Sequence, residues 1–99
     1  MTGYAFTENQ MEKIESFYGS KPETFFDVSE AGQTRKNKVT FTARHENSPI
    51  QLKKETRATE TGYTLALPKE DGWEWYEYDS FEEMMVKARK IQRNMDRYV

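Results

Sequence analysis

The most informative absence in this 99-residue sequence is cysteine, which does not occur at all. Thiol catalysis, cysteine-ligated metals and disulfide bonds are therefore excluded, and a secreted domain of this size usually needs disulfides. No apolar run approaches the ~18 residues of a membrane span. The stretch MTGYAFTENQMEK (1–13) lacks the basic and apolar regions of a signal peptide. We therefore expect a cytoplasmic protein that does not enter a membrane.

Branched aliphatic side chains are also scarce. Ile, Leu and Val number ten, and with the six Phe they make up 16 of the 99 residues. Such a low fraction combined with a high net charge is typical of disordered chains. Here the formal net charge is only −2, and six Tyr, two Trp and five Met add apolar volume. Because aromatic side chains bury a large area each, the composition predicts one folded domain over residues 1–99.

The charges are segregated along the chain. Residues 1–34 carry a net charge of −4, residues 35–57 carry +5, residues 58–83 carry −7, and residues 84–99 carry +4. The near balance argues against a nucleic-acid mimic, which needs acidic groups over most of its surface. The blocks instead predict distinct acidic and basic regions.

Hydrophobic periodicity and turn residues predict an α+β fold of order α-β-β-β-β-β-α. The sheet is an antiparallel meander of four or five strands, and the N-terminal and C-terminal helices pack on one of its faces. Predicted turns fall at 31–37, 46–49, 60–62 and 68–72. The predicted elements are helix 8–18, strands 24–28, 38–45, 50–59, 63–67 and 73–78, and helix 81–98.

Local signals mark both helices. Thr7 followed by Gln10 is typical of a capping box, and Asp79 or Ser80 offers an N-cap oxygen to the second helix. The second helix carries its apolar side chains at steps of three and four, at Phe81, Met84, Ala88, Ile91, Met95 and Tyr98. In the third strand, Lys54 interrupts the apolar alternation, which predicts that this strand overhangs the core or lies at an edge.

The segment GWEWYEYD (72–79) places aromatic side chains on both faces of one strand. We predict that Trp73 and Trp75 lie in the core, because a tyrosine hydroxyl tolerates a half-wet position better. Tyr76 and Tyr78 then stand on the face without helices. Interface cores are enriched in such aromatics, so this segment is a candidate surface for a partner protein. The predicted partner-binding residues are Tyr76, Tyr78, Glu74, Glu77 and Asp71.

Basic side chains offer an alternative. Arg44, Lys53 and Arg57 share the polar parity of their strands, so they are expected on the open face beside exposed tyrosines. Basic groups next to aromatic rings can bind single-stranded nucleic acid. The last helix adds cations that can contact phosphates, although a helix C-terminal half favours cations in any case. These helix residues are Lys87, Lys90 and Arg93.

No catalytic constellation is visible. His45 is the only histidine and lies on the apolar parity at a strand end, which is more typical of a partly buried structural residue than of a base. No phosphate-binding glycine loop, nucleophile elbow, zinc motif or calcium loop occurs, so no cofactor or metal is expected. The sequence favours a small non-enzymatic protein-binding module of the inhibitor, immunity or adaptor type. It would dock on a larger protein through the aromatic and charged sheet face or the acidic region 70–79. A homodimer and a nucleic-acid-binding domain remain open alternatives.

Overall fold

The computed structural model describes residues 5–31, 36–57 and 60–97. Helices and strands follow in the predicted order α-β-β-β-β-β-α, and both helices lie on one face of a five-stranded antiparallel sheet. The predicted fold class is therefore confirmed. The elements are α1 (Glu8–Tyr18), β1 (Glu23–Ala31), β2 (Lys36–His45), β3 (Ser48–Arg57), β4 (Glu60–Lys69), β5 (Gly72–Tyr78) and α2 (Phe81–Arg97).

The strands extend further than the sequence pattern predicted. Residues 60–62 were predicted as a turn but belong to β4, where Glu60 pairs with Arg57. Turn-forming residues at 48–49 and 68 likewise lie within β3 and β4. Antiparallel pairing with a neighbouring strand supplies the backbone hydrogen bonds that these residues would otherwise find in a turn. Within the predicted loop, third strand and last helix, residues 32–35, 58–59 and 98 lie outside the described ranges.

Each strand pairs with its neighbours in sequence, so the sheet order is β1-β2-β3-β4-β5. The register shifts between Ala43 and His45, where β2 meets β3. Alternation of side chains along each strand directs Ala43, Leu52 and Leu65 to the same face, and all three are fully buried. This face is the floor of the core.

Helix α1 is anchored at both ends. The Thr7 hydroxyl accepts a hydrogen bond from the Gln10 backbone N–H, and the Gln10 side chain accepts one from the Thr7 N–H, which confirms the predicted capping box. The helix ends at Gly19, whose φ of 85° is the left-handed conformation that glycine adopts most easily. At its last turn, the buried Tyr18 hydroxyl donates toward two backbone carbonyls, those of Ala43 and Ile50. Tyr18 therefore ties α1 to β2 and β3.

Helix α2 covers the opposite half of the same face. Ser80 is its N-cap, because its hydroxyl accepts a hydrogen bond from the Glu83 N–H. The helix packs on β3, β4 and β5. A side-chain ion pair between Lys13 of α1 and Glu82 of α2 connects the two helices. The side chains that α2 buries are Phe81, Met84, Met85 and Ala88.

Lys54 contradicts the sequence prediction for β3. That strand is the central one of the five described, and only 6% of Lys54 is exposed. Its ammonium group donates to the carbonyl oxygen of Ala5, 2.9 Å away, so the segment before α1 supplies its polar partner. Burial lowers the pKa of Lys54, because removal from water disfavours the charged form. The break in apolar alternation thus marks a buried cation that is capped by backbone.

Candidate binding site on the open sheet face

The face of the sheet opposite the helices presents two tryptophans. Trp73 and Trp75 are 48% and 54% exposed, and their rings lie side by side with centroids 6.2 Å apart. The β4–β5 register places Trp73 opposite Pro68 and Trp75 opposite Ala66. Monomeric proteins usually cover such large apolar groups, and a contiguous exposed group often marks an interaction site. This pair is the strongest candidate site in the described residues.

The orientation predicted for β5 is therefore wrong. Tyr76 and Tyr78 are partly buried and pack against the core beneath α2, while the tryptophans face outward. Tyr76 stands opposite Leu65, and Tyr78 stands opposite Tyr63, so both belong to the face that the helices cover. Burial, followed by the charge of nearby Glu83, raises the pKa of Tyr78. The sequence pattern predicted both tyrosines on the open face, and neither lies there.

Beside the tryptophans, the open face is formed by small side chains that are buried although no helix covers them. Ala66, Thr64 and Thr42 lie on the open face but are each at most 4% exposed. Lys53 extends over these side chains, where its ammonium donates to the Thr42 hydroxyl and lies 5.7 Å from the centroid of the Trp75 ring. Burial lowers the pKa of Lys53, and the nearby carboxylate of Glu55 opposes this effect. The long aliphatic stem of a lysine covers apolar surface in this way.

Toward β1 and β2, the open face carries charged side chains that form ion pairs. Arg44 forms an ion pair with Glu23 of β1, and its guanidinium also lies 5.1 Å from the centroid of the Phe25 ring. Farther along the face, Glu55 lies between Lys38 and Arg57, at 4.0 and 3.6 Å. Because acids and bases alternate here, this part of the face has no strong charge of one sign. The open face carries the three basic residues that were predicted there, Arg44, Lys53 and Arg57. Each has an acidic side chain nearby.

An acidic turn borders the tryptophans. Glu70 and Asp71 are exposed in the turn between β4 and β5, and a groove of about 530 Å³ lies between this turn and Trp73. Lys69 is paired with Glu74, and the described residues place no cation within ion-pair distance of Glu70 or Asp71. Of the predicted binding residues, Asp71 and Glu77 are exposed near the tryptophans, whereas Glu74 lies on the helix side with Tyr76.

The structure separates the predicted basic residues into two groups. Lys87, Lys90 and Arg93 belong to α2, which packs on the face opposite Lys53 and the tryptophans. Lys87 also lies over the Tyr76 ring, 5.1 Å from its centroid. One nucleic-acid strand lying along the open face would therefore not reach the cations of α2.

His45 has structural partners on both ring nitrogens. Its Nδ1 accepts the backbone N–H of Asn47, and its Nε2 lies within hydrogen-bond distance of the Ser20 hydroxyl. Because an accepting Nδ1 carries no proton, the neutral ring carries its proton on Nε2 and donates it to Ser20. The ring also stacks on Tyr18. In this tautomer, His45 is not arranged to act as a base toward Ser20.

The described residues hold no group of three or more His, Cys, Asp or Glu side chains arranged to bind a metal ion. Among the same residues, no helix has the length and apolar character needed to cross a membrane. Comparison of the chain with protein-family models, curated proteins and solved structures finds no match.

Proposed function

We propose that this protein is a small non-enzymatic protein-binding module that docks on a larger partner through Trp73 and Trp75. The observation that carries the proposal is the half-exposed tryptophan pair on a sheet face without helices. Tryptophan is enriched among the few interface residues that supply most of the binding energy. Ala66, which stands opposite Trp75 on the neighbouring strand, is fully buried, so the pair lies beside a closed part of the sheet.

Charge next to the tryptophans indicates the chemistry of the partner. Glu70 and Asp71 border Trp73, whereas the nearby Lys69 is neutralised by Glu74. A complementary partner presents an apolar pocket for the indole rings and basic side chains at its rim, because opposite charges accelerate encounter and fix orientation. The absence of cysteine supports a cytoplasmic setting for this interaction. An inhibitor, immunity or adaptor role is compatible with such a surface.

The test is capture from a lysate of the native host, followed by calorimetry with the purified captured protein. The double variant Trp73→Ala/Trp75→Ala should bind at least about tenfold more weakly than the wild type, since truncating an interface tryptophan commonly costs more than 1 kcal/mol. Val86→Ala is the matched control, because Val86 is 61% exposed on α2, away from the open face. Circular dichroism checks that each variant is folded.

Two results would contradict this proposal. One is a captured protein whose affinity is the same for the wild type and the double tryptophan variant. The other is a larger loss of affinity with Val86→Ala than with the tryptophan substitutions.

Substituting Glu70→Gln and Asp71→Asn should reduce the rate of association with the partner at low salt and have little effect at high salt, because salt screens exposed charges.

A second candidate function is binding of single-stranded nucleic acid, and two ring contacts favour it. Lys53 lies over Trp75, and Arg44 lies over Phe25, which is how stacking platforms combine aromatic rings with cations. This candidate predicts that an oligonucleotide quenches tryptophan fluorescence at low salt and that the affinity falls steeply as salt is added. Lys53→Gln should weaken binding, while Lys90→Gln on α2 should not. Unchanged fluorescence at low salt would eliminate this candidate.

A further inference from the structure

Strand β1 is an unprotected edge of the sheet. It pairs with β2 over nine residues, Glu23–Ala31, without a shift of register, and within the described residues no strand lies on its other side. An edge of this length presents unpaired backbone groups, and proteins usually block such edges with lysine, proline, a bulge or a very short strand. The segment ETFFDVSEA contains neither lysine nor proline, and the charged residues in it are three acids. Backbone groups along β1 are therefore available to another strand.

Strand β1 also carries apolar side chains that neither helix covers. Phe26 is 62% exposed and Val28 is 55% exposed. Both lie on the helix side of the sheet, opposite Phe41 and Val39, yet the helices leave them uncovered. On the other side of the strand, Phe25 is 38% exposed. Half of the exposed large apolar side chains in the described residues thus belong to this one strand.

We infer that a second copy of this chain pairs with β1, antiparallel and about a two-fold axis at Phe26. Residues that face each other across an antiparallel pair lie on the same side of the sheet. A two-fold axis between two copies of β1 must therefore lie where one residue faces the same residue of the other copy. With the axis at Phe26, the two Phe26 rings meet, and Thr24 of each copy faces Val28 of the other. On the opposite side, Phe25 faces Asp27. An apolar row then continues across the joint on the helix side.

The acidic residues select this register. An axis at Asp27 would bring the two Asp27 carboxylates together, and an axis at Phe25 would place Glu23 opposite Asp27. Like charges directly opposite each other destabilise a strand pair. An axis at Val28 would place Phe26, the most exposed ring, opposite a glutamate at position 30. Of these four registers, only the one centred on Phe26 places Phe26 opposite an apolar residue without bringing two acids together, and it leaves Phe25 opposite Asp27 on the other side of the sheet.

This self-complementarity favours a second copy over an unrelated partner. The inference is independent of the proposed function, because β1 and β5 are the two opposite edges of the sheet. Pairing through β1 leaves Trp73 and Trp75 of both copies free. A dimer would present two identical tryptophan surfaces on one sheet of ten strands.

Sedimentation equilibrium over a range of protein concentrations provides the first test. The wild type should show a reversible monomer–dimer equilibrium. Phe26→Lys should weaken the dimer at least about tenfold, because it opposes two ammonium groups across the axis. Val86→Lys is the control for an added surface charge and should dimerise like the wild type. A wild type that remains monomeric, or a Phe26→Lys variant that dimerises equally well, would overturn the inference.

Oxidative crosslinking tests the register. Since the chain has no cysteine, each single-cysteine variant carries one thiol. Phe26→Cys should crosslink to itself, whereas Thr24→Cys and Val28→Cys should crosslink only when mixed. In the inferred register, two copies of residue 24 are separated by about 13 Å along the strands, too far for a disulfide. Equal self-crosslinking by Thr24→Cys, or none by Phe26→Cys, would overturn this register.

Discussion

Replacing Tyr18 with phenylalanine should lower the free energy of unfolding by about 2 kcal/mol, because buried carbonyl groups lose their donor. The Tyr18 hydroxyl lies 3.1 Å from the Ala43 carbonyl oxygen and 2.7 Å from that of Ile50. These carbonyls flank the place where the β2–β3 register shifts, so a ladder bond does not simply replace the lost donor. Urea unfolding at neutral pH measures the loss. Tyr63→Phe is the control, since the Tyr63 hydroxyl accepts one partly buried hydrogen bond from Gln10.

The same substitution should change the alkaline pH dependence of stability. Burial raises the pKa of Tyr18 well above its usual value near 10, so the unfolded chain loses this proton at a lower pH than the folded one. The stabilisation is fully present below pH 10 and is lost as the pH rises above it, at up to about 1.4 kcal/mol per pH unit. The wild type should therefore lose stability above pH 10 more steeply than Tyr18→Phe. Parallel profiles for the two proteins would contradict this assignment.

Truncating two adjacent residues of β5 should reduce the stability by very different amounts. Tyr76→Ala should lower the free energy of unfolding by about 3 kcal/mol, because it removes an aromatic ring that packs against the core. Trp75→Ala should cost about 1 kcal/mol or less, because that ring is 54% exposed. Denaturant unfolding of both variants compares them directly. A larger loss for Trp75→Ala would show that the strand presents its other face to the core.

The sequence predicted those features that depend on neighbouring residues. The capping box of Thr7 and Gln10 is confirmed, and so is helix 8–18 down to its last residue. The apolar stripe of α2 is confirmed by the burial of Phe81, Met84 and Ala88. These signals operate within one or two helical turns, and no distant residue is needed to interpret them.

The orientation predicted for β5 is wrong because it rests on side-chain preference alone. Its register with β4 contains the missing information. A turn of two residues, Glu70 and Asp71, pairs Lys69 with Gly72, and each following pair then shares a face. Leu65 of β4 is fully buried, so the residue opposite it, Tyr76, belongs to the core. The length of the turn, rather than the chemistry of tyrosine and tryptophan, decides which pair is exposed.

The burial of Lys54 could not be predicted from the sequence, for a different reason. A charged residue at an apolar position of a strand normally indicates an edge, because burying an unpaired cation is costly. Here the carbonyl of Ala5, 49 positions earlier in the chain, accepts its hydrogen bond. No local pattern encodes a contact over that separation. The same reasoning applies to Lys53 of β3 and Lys87 of α2, which the fold places on opposite faces of the sheet.

The order of strands in the sheet has a consequence for how the chain folds. Each strand pairs with the next one along the sequence, so the sheet can form hairpin by hairpin without waiting for distant segments to meet. Proteins dominated by such local contacts fold faster than those that need crossover connections. Contacts of Phe6 with Phe81, of Lys13 with Glu82 and of Gln10 with Tyr63 close long stretches of chain. We therefore expect docking of the two helices to complete folding. Until it occurs, the apolar face of the sheet, which includes Ala43, Leu52 and Leu65, is exposed to other chains.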